Sequence, residues 1–368
     1  MKVLIAGGGT SGHINPAIAI AEAIIHAPSV DAGSEASSVE FVGTEKGLES
    51  QIVPEANYPF HIIHASALPL KPSPKMIRAI LDFAKGRKEC IRLIRDIQPD
   101  VVIGTGGFVC SPLISAAHKM HVPILLHEQN AFPGRSNRMM SRHASVVCTS
   151  FPNLDRYFSK RAKIAYTGNP VRARFFGINR EDARLKLGLS PNEKLILAMG
   201  GSLGAKTINE AVVAYASAHM GDSIRYVLSV GKRRYEEIRD EMASWPSNIE
   251  VFEYISNPEV YMAAADLFIG RSGAITCAEI AAIGVASIFI PYPYAAQDHQ
   301  TYNAKAFTDA NAGIIIPDNE VNEKLPETIE QWIHDDARLA MLRENARTLA
   351  KSDAVEEILH EVNKLAGR

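Results

Sequence analysis

Four short apolar runs, Val3–Ala6, Val101–Ile103, Leu195–Met199 and Leu267–Ile269, each stop at a glycine and each precede a stretch of helical periodicity. Strands that alternate with helices in this way form a parallel sheet, because the crossover helices cover both of its faces. The first and third runs each begin a half of the chain. The second and fourth carry glycines of their own, at Gly104, Gly106 and Gly107 and at Gly270 and Gly273. The expectation is an α/β protein of two similar Rossmann-like halves, with ligands beyond the carboxyl ends of the strands.

Length agrees, since 368 residues exceed the roughly 100 to 200 of an ordinary domain. Two domains imply a cleft. The expected divisions are 1–168, 169–345 and a closing helical piece, 346–368, that crosses back to the first domain. Pro170, Gly177, Gly188 and Pro191 mark the stretch between the halves as a linker.

A composition of 46% hydrophobic and 22% charged residues is that of a globular chain and removes disorder from consideration. A net charge of −2 lacks the overall basic field of a nucleic-acid binder. The four cysteines, 90, 110, 148 and 277, show no C-x-x-C spacing and read as reduced, packed thiols. No apolar run reaches the ~18 residues needed to span a bilayer, so the expected compartment is the cytoplasm.

The glycine loops suggest chemistry. Gly7, Gly9 and Gly12 follow the first strand and lead toward a helix expected to open at Pro16, with His13 at the lip. Such a loop is an anion cradle, since first-turn N–H groups have no intrahelical partner, and a histidine of pKa about 6.5 can take a proton there. The spacing also satisfies the dinucleotide fingerprint, but that fold needs an acid at the end of the second strand. Val39–Val42 ends in Gly43-Thr44 instead, with Glu45 too late. In the third loop, Gly200-Gly201-Ser202-Leu203-Gly204-Ala205-Lys206, alanine stands where a P-loop requires glycine before lysine. What remains is a glycine turn into a helix, with the Ser202 hydroxyl available to a phosphate.

His127-Glu128-Gln129-Asn130 places four polar side chains directly after an apolar strand. His127 and Glu128 point apart in extended chain, which argues against a shared metal. Arg271–Glu279 opens another helix at a strand end; Glu279 either complements the helix dipole or accepts from paired hydroxyls such as a ribose offers. Gln300 follows from a proline-rich loop, with donor and acceptor capacity. Finally, residues 68–95 mix Leu68, Leu70, Met76, Ile77, Ile80, Leu81 and Ala84 with Lys71, Pro72, Lys75, Arg78, Lys85, Arg87, Lys88, Arg92 and Arg95, against Asp82 and Glu89 only. This suits either a helix packed on the sheet with a solvated basic face or one resting on an anionic leaflet.

Seven segments in order, GGGTSGHINP (7–16), GTGGFVCSP (104–112), HEQN (127–130), GNPVR (168–172), GGSLGA (200–205), RSGAITCAE (271–279) and HQTYNA (299–304), resemble the bacterial MurG family. The resemblance runs nearly the whole chain and implies a GT-B glycosyltransferase. Such enzymes move N-acetylglucosamine from its uridine diphosphate donor (UDP-N-acetylglucosamine) to undecaprenyl-diphospho-N-acetylmuramoyl-pentapeptide, in peptidoglycan synthesis, as peripheral proteins on the cytoplasmic face of the cell membrane. It implies acceptor and membrane for the first domain and UDP-sugar for the second.

By that resemblance Thr10, Ser11 and Gly12 meet the donor, Asn130 and Gln300 its sugar, and Arg172 and Ser202 its phosphates. Ile255 pairs uracil through its backbone, and Ala274, Ile275, Thr276 and Glu279 hold the ribose and diphosphate. Ser11 stands where the family often has a second glycine, which is expected to narrow the loop's backbone options and makes its contact the least secure of these assignments. The muramoyl 4-hydroxyl attacks the anomeric carbon with inversion and needs a base; His13 is the first candidate and Glu128, also at a strand's carboxyl edge, the second, as base or as a group that holds the acceptor or tunes His13. Neither metal nor cofactor is required, because arginine and helix N-termini can neutralise a diphosphate. Two alternatives stay open: another GT-B enzyme, such as a UDP-N-acetylglucosamine 2-epimerase or a soluble-acceptor transferase, and a non-catalytic partner that recruits an enzyme to the membrane.

Overall fold

The computed structural model describes residues 1–27, 36–69, 71, 73–201 and 204–368. The chain divides into two units, Met1–Val171 with Asp353–Arg368, and Arg172–Ser352. In the first, the order is β1 (Lys2–Gly7), α1 (Ser11–His26), β2 (Ser38–Gly43), α2 (Glu49–Glu55), β3 (Phe60–Ile62), α3 (Pro74–Ile97), β4 (Val101–Gly106), α4 (Cys110–Lys119), β5 (Ile124–Glu128), α5 (Arg135–Met140), β6 (Val146–Thr149) and β7 (Lys163–Tyr166). The second continues with α6 (Arg180–Lys186), β8 (Lys194–Met199), α7 (Lys206–Ala218), β9 (Ile224–Ser229), α8 (Lys232–Met242), β10 (Ile249–Phe252), α9 (Pro258–Ala264), β11 (Leu267–Gly270), α10 (Ala274–Ile283), β12 (Ser287–Phe289), α11 (His299–Asp309), β13 (Gly313–Ile315), α12 (Val321–Ile333) and α13 (Asp336–Arg347). The last helix, α14 (Ala354–Leu365), belongs to the first unit.

Both sheets are parallel throughout, in the orders β3-β2-β1-β4-β5-β6-β7 and β10-β9-β8-β11-β12-β13. The alternation of side chains along each strand explains why the runs are apolar at every position. Val3, Ile5, Val101 and Ile103 face one layer with Ile14, Ile20, Ile358 and Val362, while Leu4, Ala6, Val102 and Leu126 face the other with Cys90, Ile94 and Ile114. The layer on the first face thus includes α14, whose Ile358 and Val362 are fully buried and contribute about 1.5–3 kcal/mol each. All four cysteines are buried and unpaired.

Three expectations need correction. The first helix opens at Ser11, not Pro16, because Thr10 adopts an extended N-cap conformation and the helical bonds begin there, Ile14 N–H donating to the Thr10 carbonyl. Pro16 lies inside the helix. The stretch from 170 to 191 is not a free linker, since Arg180 and Arg184 of α6 both bind Asp266 and the adjacent backbone carbonyls in the second unit. The units part after Val171 and after Ser352, later than 168 and 345, because Ala346 and Arg347 complete α13.

Candidate active site

Each sheet reverses its winding direction once, between β1 and β4 in the first unit and between β8 and β11 in the second. Ligands of open parallel sheets bind where that reversal opens a crevice at the carboxyl ends of the strands. Two of the four glycine loops, those after β1 and β4, lie at the first reversal, and the other two, after β8 and β11, lie at the second. The two reversals are built differently.

In the first unit the cradle holds the chain's own carboxylate. Glu49, buried at 1% exposure, accepts from the Gly9 N–H at 3.1 Å, from the Thr44 N–H at 3.1 Å and from the Thr44 hydroxyl at 2.7 Å. A Cβ on Gly8 would fall 2.7 Å from that carboxylate, so glycine there makes room for an internal anion rather than for a phosphate. His13, half-buried near the start of α1, places Nδ1 3.0 Å from the Gly8 carbonyl and 3.3 Å from Thr10 Oγ1. A carbonyl only accepts, so Nδ1 carries the proton and Nε2 is the basic nitrogen. The second glycine loop is the seat for this ring: a Cβ on Gly106, at φ +117°, would lie 2.7 Å from His13 Cδ2. Thr105 adds a hydrogen bond from its hydroxyl to the His13 carbonyl at 2.8 Å.

Thr10 and Gly12 are exposed and Ser11 half-buried beside His13. Ser11 is a helical residue and is not among the positive-φ positions, so its backbone conformation is one that serine adopts without strain. Within this loop only Gly9, at φ +84°, needs glycine for its backbone conformation.

The polar run after β5 divides its labour. His127 is fully buried, donates from Nε2 to the Gly168 carbonyl at 3.1 Å and accepts from Gln129 Nε2 at 3.0 Å; burial pushes its pKa down to about 4 and keeps it neutral. Glu128, also buried, accepts from Asn130 N and Nδ2 on one oxygen and from Gly134 N and Asn137 Nδ2 on the other. Four donors on a buried carboxylate make Glu128 a brace for the 128–137 loop. The brace presents Asn130, which is half-buried. Asn169, from the GNPVR segment, locks the same loop by donating to the Gln129 carbonyl at 3.1 Å and accepting from Ser150 at 2.8 Å.

In the second unit the acid at the reversal, Asp318, is engaged by side chains: it accepts from the Thr207 hydroxyl at 2.8 Å and from the Arg271 guanidinium. Helices α7 and α10 start at Ala205 and Gly273 caps that lack a side-chain cap, and neither has an acidic residue in its first turn. Their N-termini flank the β8–β11 reversal, with Ala274, Ile275 and Thr276 forming the first turn of α10. Gly204, at φ +73°, lets the loop pass Val230, whose carbonyl a Cβ would meet at 1.9 Å. Ser202, together with Leu203, lies outside the described residues. Glu279, half-buried on α10, has a carboxyl pushed up to about 7 by burial, with Arg172 and Arg174 pulling it down and Glu259 raising it further. Arg172 itself is exposed, its guanidinium 5.7 Å over the Phe175 ring. Gln300 accepts the Tyr292 N–H at 2.9 Å through Oε1, which fixes its amide and leaves Nε2 as the donor it offers. Ile255 is buried in the turn between β10 and α9. Ser272 and Asn303 tie the turn before α10 to α11, the serine hydroxyl donating to the Gln300 carbonyl and Asn303 Nδ2 to the Ser272 carbonyl.

Sequence reasoning missed Glu49, Asn137 and Asn169. The signal for Glu49 was an acid at the start of the helix after the second strand, but its partner, Gly9, lies 40 residues away in sequence.

Comparison with known proteins was consistent along the chain. Residues 3–149 match the glycosyltransferase family 28 N-terminal domain and residues 195–358 the family's C-terminal domain. A protein of Desulforudis audaxviator is 40% identical over 379 residues, covering 100% of this chain and 99% of the relative. One of Acetivibrio thermocellus is 38% identical over 375 residues, covering both chains fully. Both are named UDP-N-acetylglucosamine–N-acetylmuramyl-(pentapeptide) pyrophosphoryl-undecaprenol N-acetylglucosamine transferase. The crystal structure of Acinetobacter baumannii MurG is similar with TM-score 0.79 at 28% identity, over 99% of each chain. A Neisseria meningitidis UDP-GlcNAc 2-epimerase shares the fold alone, with TM-score 0.63 at 16% identity, covering 99% of this chain and 100% of that one.

Proposed function

We infer the reaction from one premise: the chain belongs to glycosyltransferase family 28, and within it to the MurG enzymes. It transfers N-acetylglucosamine from UDP-N-acetylglucosamine to undecaprenyl-diphospho-N-acetylmuramoyl-pentapeptide, a step of peptidoglycan synthesis. The observation that carries the division of labour is the asymmetry of the two reversal points. The first unit keeps a carboxylate in its own cradle and presents a histidine with a basic Nε2. In the second, Asp318 is taken up by the Thr207 hydroxyl and Arg271, and the first turns of α7 and α10 carry no acidic residue of their own.

In our reading the second unit binds the donor. The amides that start α7 and α10, with Arg172 and Ser202, take the diphosphate; Glu279 accepts from the ribose hydroxyls; the Ile255 backbone pairs the uracil; Gln300 and Asn130 hold the sugar, with Thr10, Ser11 and Gly12 beside it. His13 Nε2 removes the proton from the muramoyl 4-hydroxyl as that oxygen attacks the anomeric carbon. The bond to the diphosphate breaks on the opposite face, with inversion. Charge that develops on the departing diphosphate meets fixed donors, and losing one such donor costs on the order of 10²–10³ in rate.

The acceptor is a lipid, and α3 offers a surface for it. Ala79, Gly86, Cys90 and Ile94 of this helix turn inward. Ile77, Ile80 and Leu81 stay outside at 66%, 55% and 63% exposure, beside exposed Lys75, Arg78, Lys85 and Lys88. Among the described residues no helix is long and apolar enough to cross a membrane. Leu70 and Pro72, counted with this surface in the sequence, lie outside the described residues. We assign this face to the anionic cytoplasmic leaflet.

Transfer of radiolabelled sugar to a short-chain lipid acceptor, compared with free sugar acceptors, tests the reaction. Lipid-linked disaccharide as the product, lost in His13→Ala with the affinity for UDP retained, is the expected result. Epimerised donor, or transfer only to soluble acceptors, would overturn it.

A further inference from the structure

We propose that Glu49 is a positioning residue that acts on His13 through a single peptide group. The N–H of Gly9 and the carbonyl of Gly8 belong to the same peptide bond. The Glu49 carboxylate accepts from that N–H at 3.1 Å, and the carbonyl accepts from His13 Nδ1 at 3.0 Å. The order is therefore carboxylate, peptide, imidazole. It repeats the logic of a carboxylate that orients a catalytic histidine, with one amide inserted between them.

The geometry gives the carboxylate two tasks. A peptide between two glycines, the second at φ +84°, has little steric resistance to turning over, and a flip would point an N–H at His13 Nδ1 in place of the carbonyl. The buried carboxylate opposes the flip, because the flipped peptide would set a carbonyl oxygen against it. Hydrogen bonding at the N–H also polarises the amide and makes its carbonyl a better acceptor. Both effects keep the proton on Nδ1 and the lone pair on Nε2. Glu49 is itself held, by Thr44 N and Oγ1, and Gly8 and Gly47 stand where a Cβ would come within 2.7 and 2.2 Å of its side chain. On the far side Gly107 accommodates the peptide, since a Cβ there would lie 2.3 Å from the Gly8 carbonyl oxygen.

This inference rests on His13 being the base, and its test separates the two claims. Glu49→Gln and Glu49→Ala are each measured in the full chain for kcat, for the KM of UDP-N-acetylglucosamine and for melting temperature, alone and combined with His13→Ala. The expected result is a fall in kcat of about tenfold or more in either single variant, with KM for the donor unchanged. In the His13→Ala background the same substitutions should cost nothing further, because the path runs through the ring. Formate should restore part of the turnover of Glu49→Ala and none of that of Glu49→Ala with His13→Ala. If the double variants are too slow to read, ¹⁵N shifts of the His13 ring decide: Nδ1–H in the native chain and a tautomer mixture in Glu49→Ala.

Native-like kcat in both Glu49 variants overturns the proposal. So does a full additional loss in the His13→Ala background, an unchanged tautomer in Glu49→Ala, or a parallel loss of donor affinity and melting temperature in Glu49→Gln. A His13→Ala chain that turns over at the native rate removes the base assignment, read from that variant alone, and this proposal with it.

Discussion

Glu279 is the residue whose environment most directly predicts a pH effect. Its carboxyl is pushed up to about 7 by burial and Glu259, against the pull of Arg172 and Arg174, so near neutrality it is only partly ionised. Ribose hydroxyls donate to the ionised form, so UDP affinity should rise between pH 6 and pH 8, with proton release on binding. For the ligand-free chain the sign is opposite. A carboxyl raised above its unfolded value of 4.5 contributes stability below that value and loses it as pH rises through about 7. Calorimetric titration of UDP across this range, in buffers of different ionisation enthalpy, measures the released proton. Glu279→Gln should leave only the titration of the nucleotide's own phosphate, and an unchanged pH slope in that variant would show that the carboxyl does not meet the ligand. At this scale the sequence marked the positions of His13 and Glu279, because each follows a strand end and a glycine turn, and the roles we give them are proposals. The partners of Glu128 were not readable, because Gly134 and Asn137 reach it only when a loop folds back onto it.

Among the elements, α3 shows most clearly how packing settles what periodicity leaves open. Its apolar positions serve two faces: Ala79, Gly86, Cys90 and Ile94 meet the core, while Ile77, Ile80 and Leu81 remain outside. Gly86 is required at the inner face because a Cβ there would lie 1.9 Å from the His64 carbonyl oxygen of the segment pinned against the helix. The sequence supplied the mixture of apolar and basic residues, but only the inner contacts identify the apolar residues left over for a second surface. Replacing Lys75, Arg78 and Lys88 together by alanine should weaken binding to anionic vesicles by about 3 kcal/mol, on the order of a hundredfold, at about 1 kcal/mol per charge. Transfer to a water-soluble acceptor analogue should be unaffected. Vesicle sedimentation at fixed salt checks this, and unaltered partitioning would return the basic residues to a solvated face. The first helix teaches the opposite lesson, since the extended Thr10 cap, invisible in composition, starts α1 five residues before Pro16.

At the scale of the whole molecule, two units with the same strand order, three strands wound one way and the rest the other, have diverged in what fills the reversal point. The doubling, the parallel sheets and the glycine loops were legible because hydrophobic runs and glycines are local signals. The divergence was not, because it depends on the contact between Glu49 and Gly9, between elements separated by a crossover. We propose that the nucleotide binds the second unit, because Glu49 occupies the Gly9 amide in the first unit whereas Asp318 in the second is engaged by the Thr207 and Arg271 side chains. Hydrogen exchange of the full chain with and without UDP tests this assignment directly. Added protection is expected in peptides spanning 200–207 and 273–279, with no change in those spanning 7–12. Protection of 7–12 by UDP alone, with 200–207 and 273–279 unchanged, would contradict it.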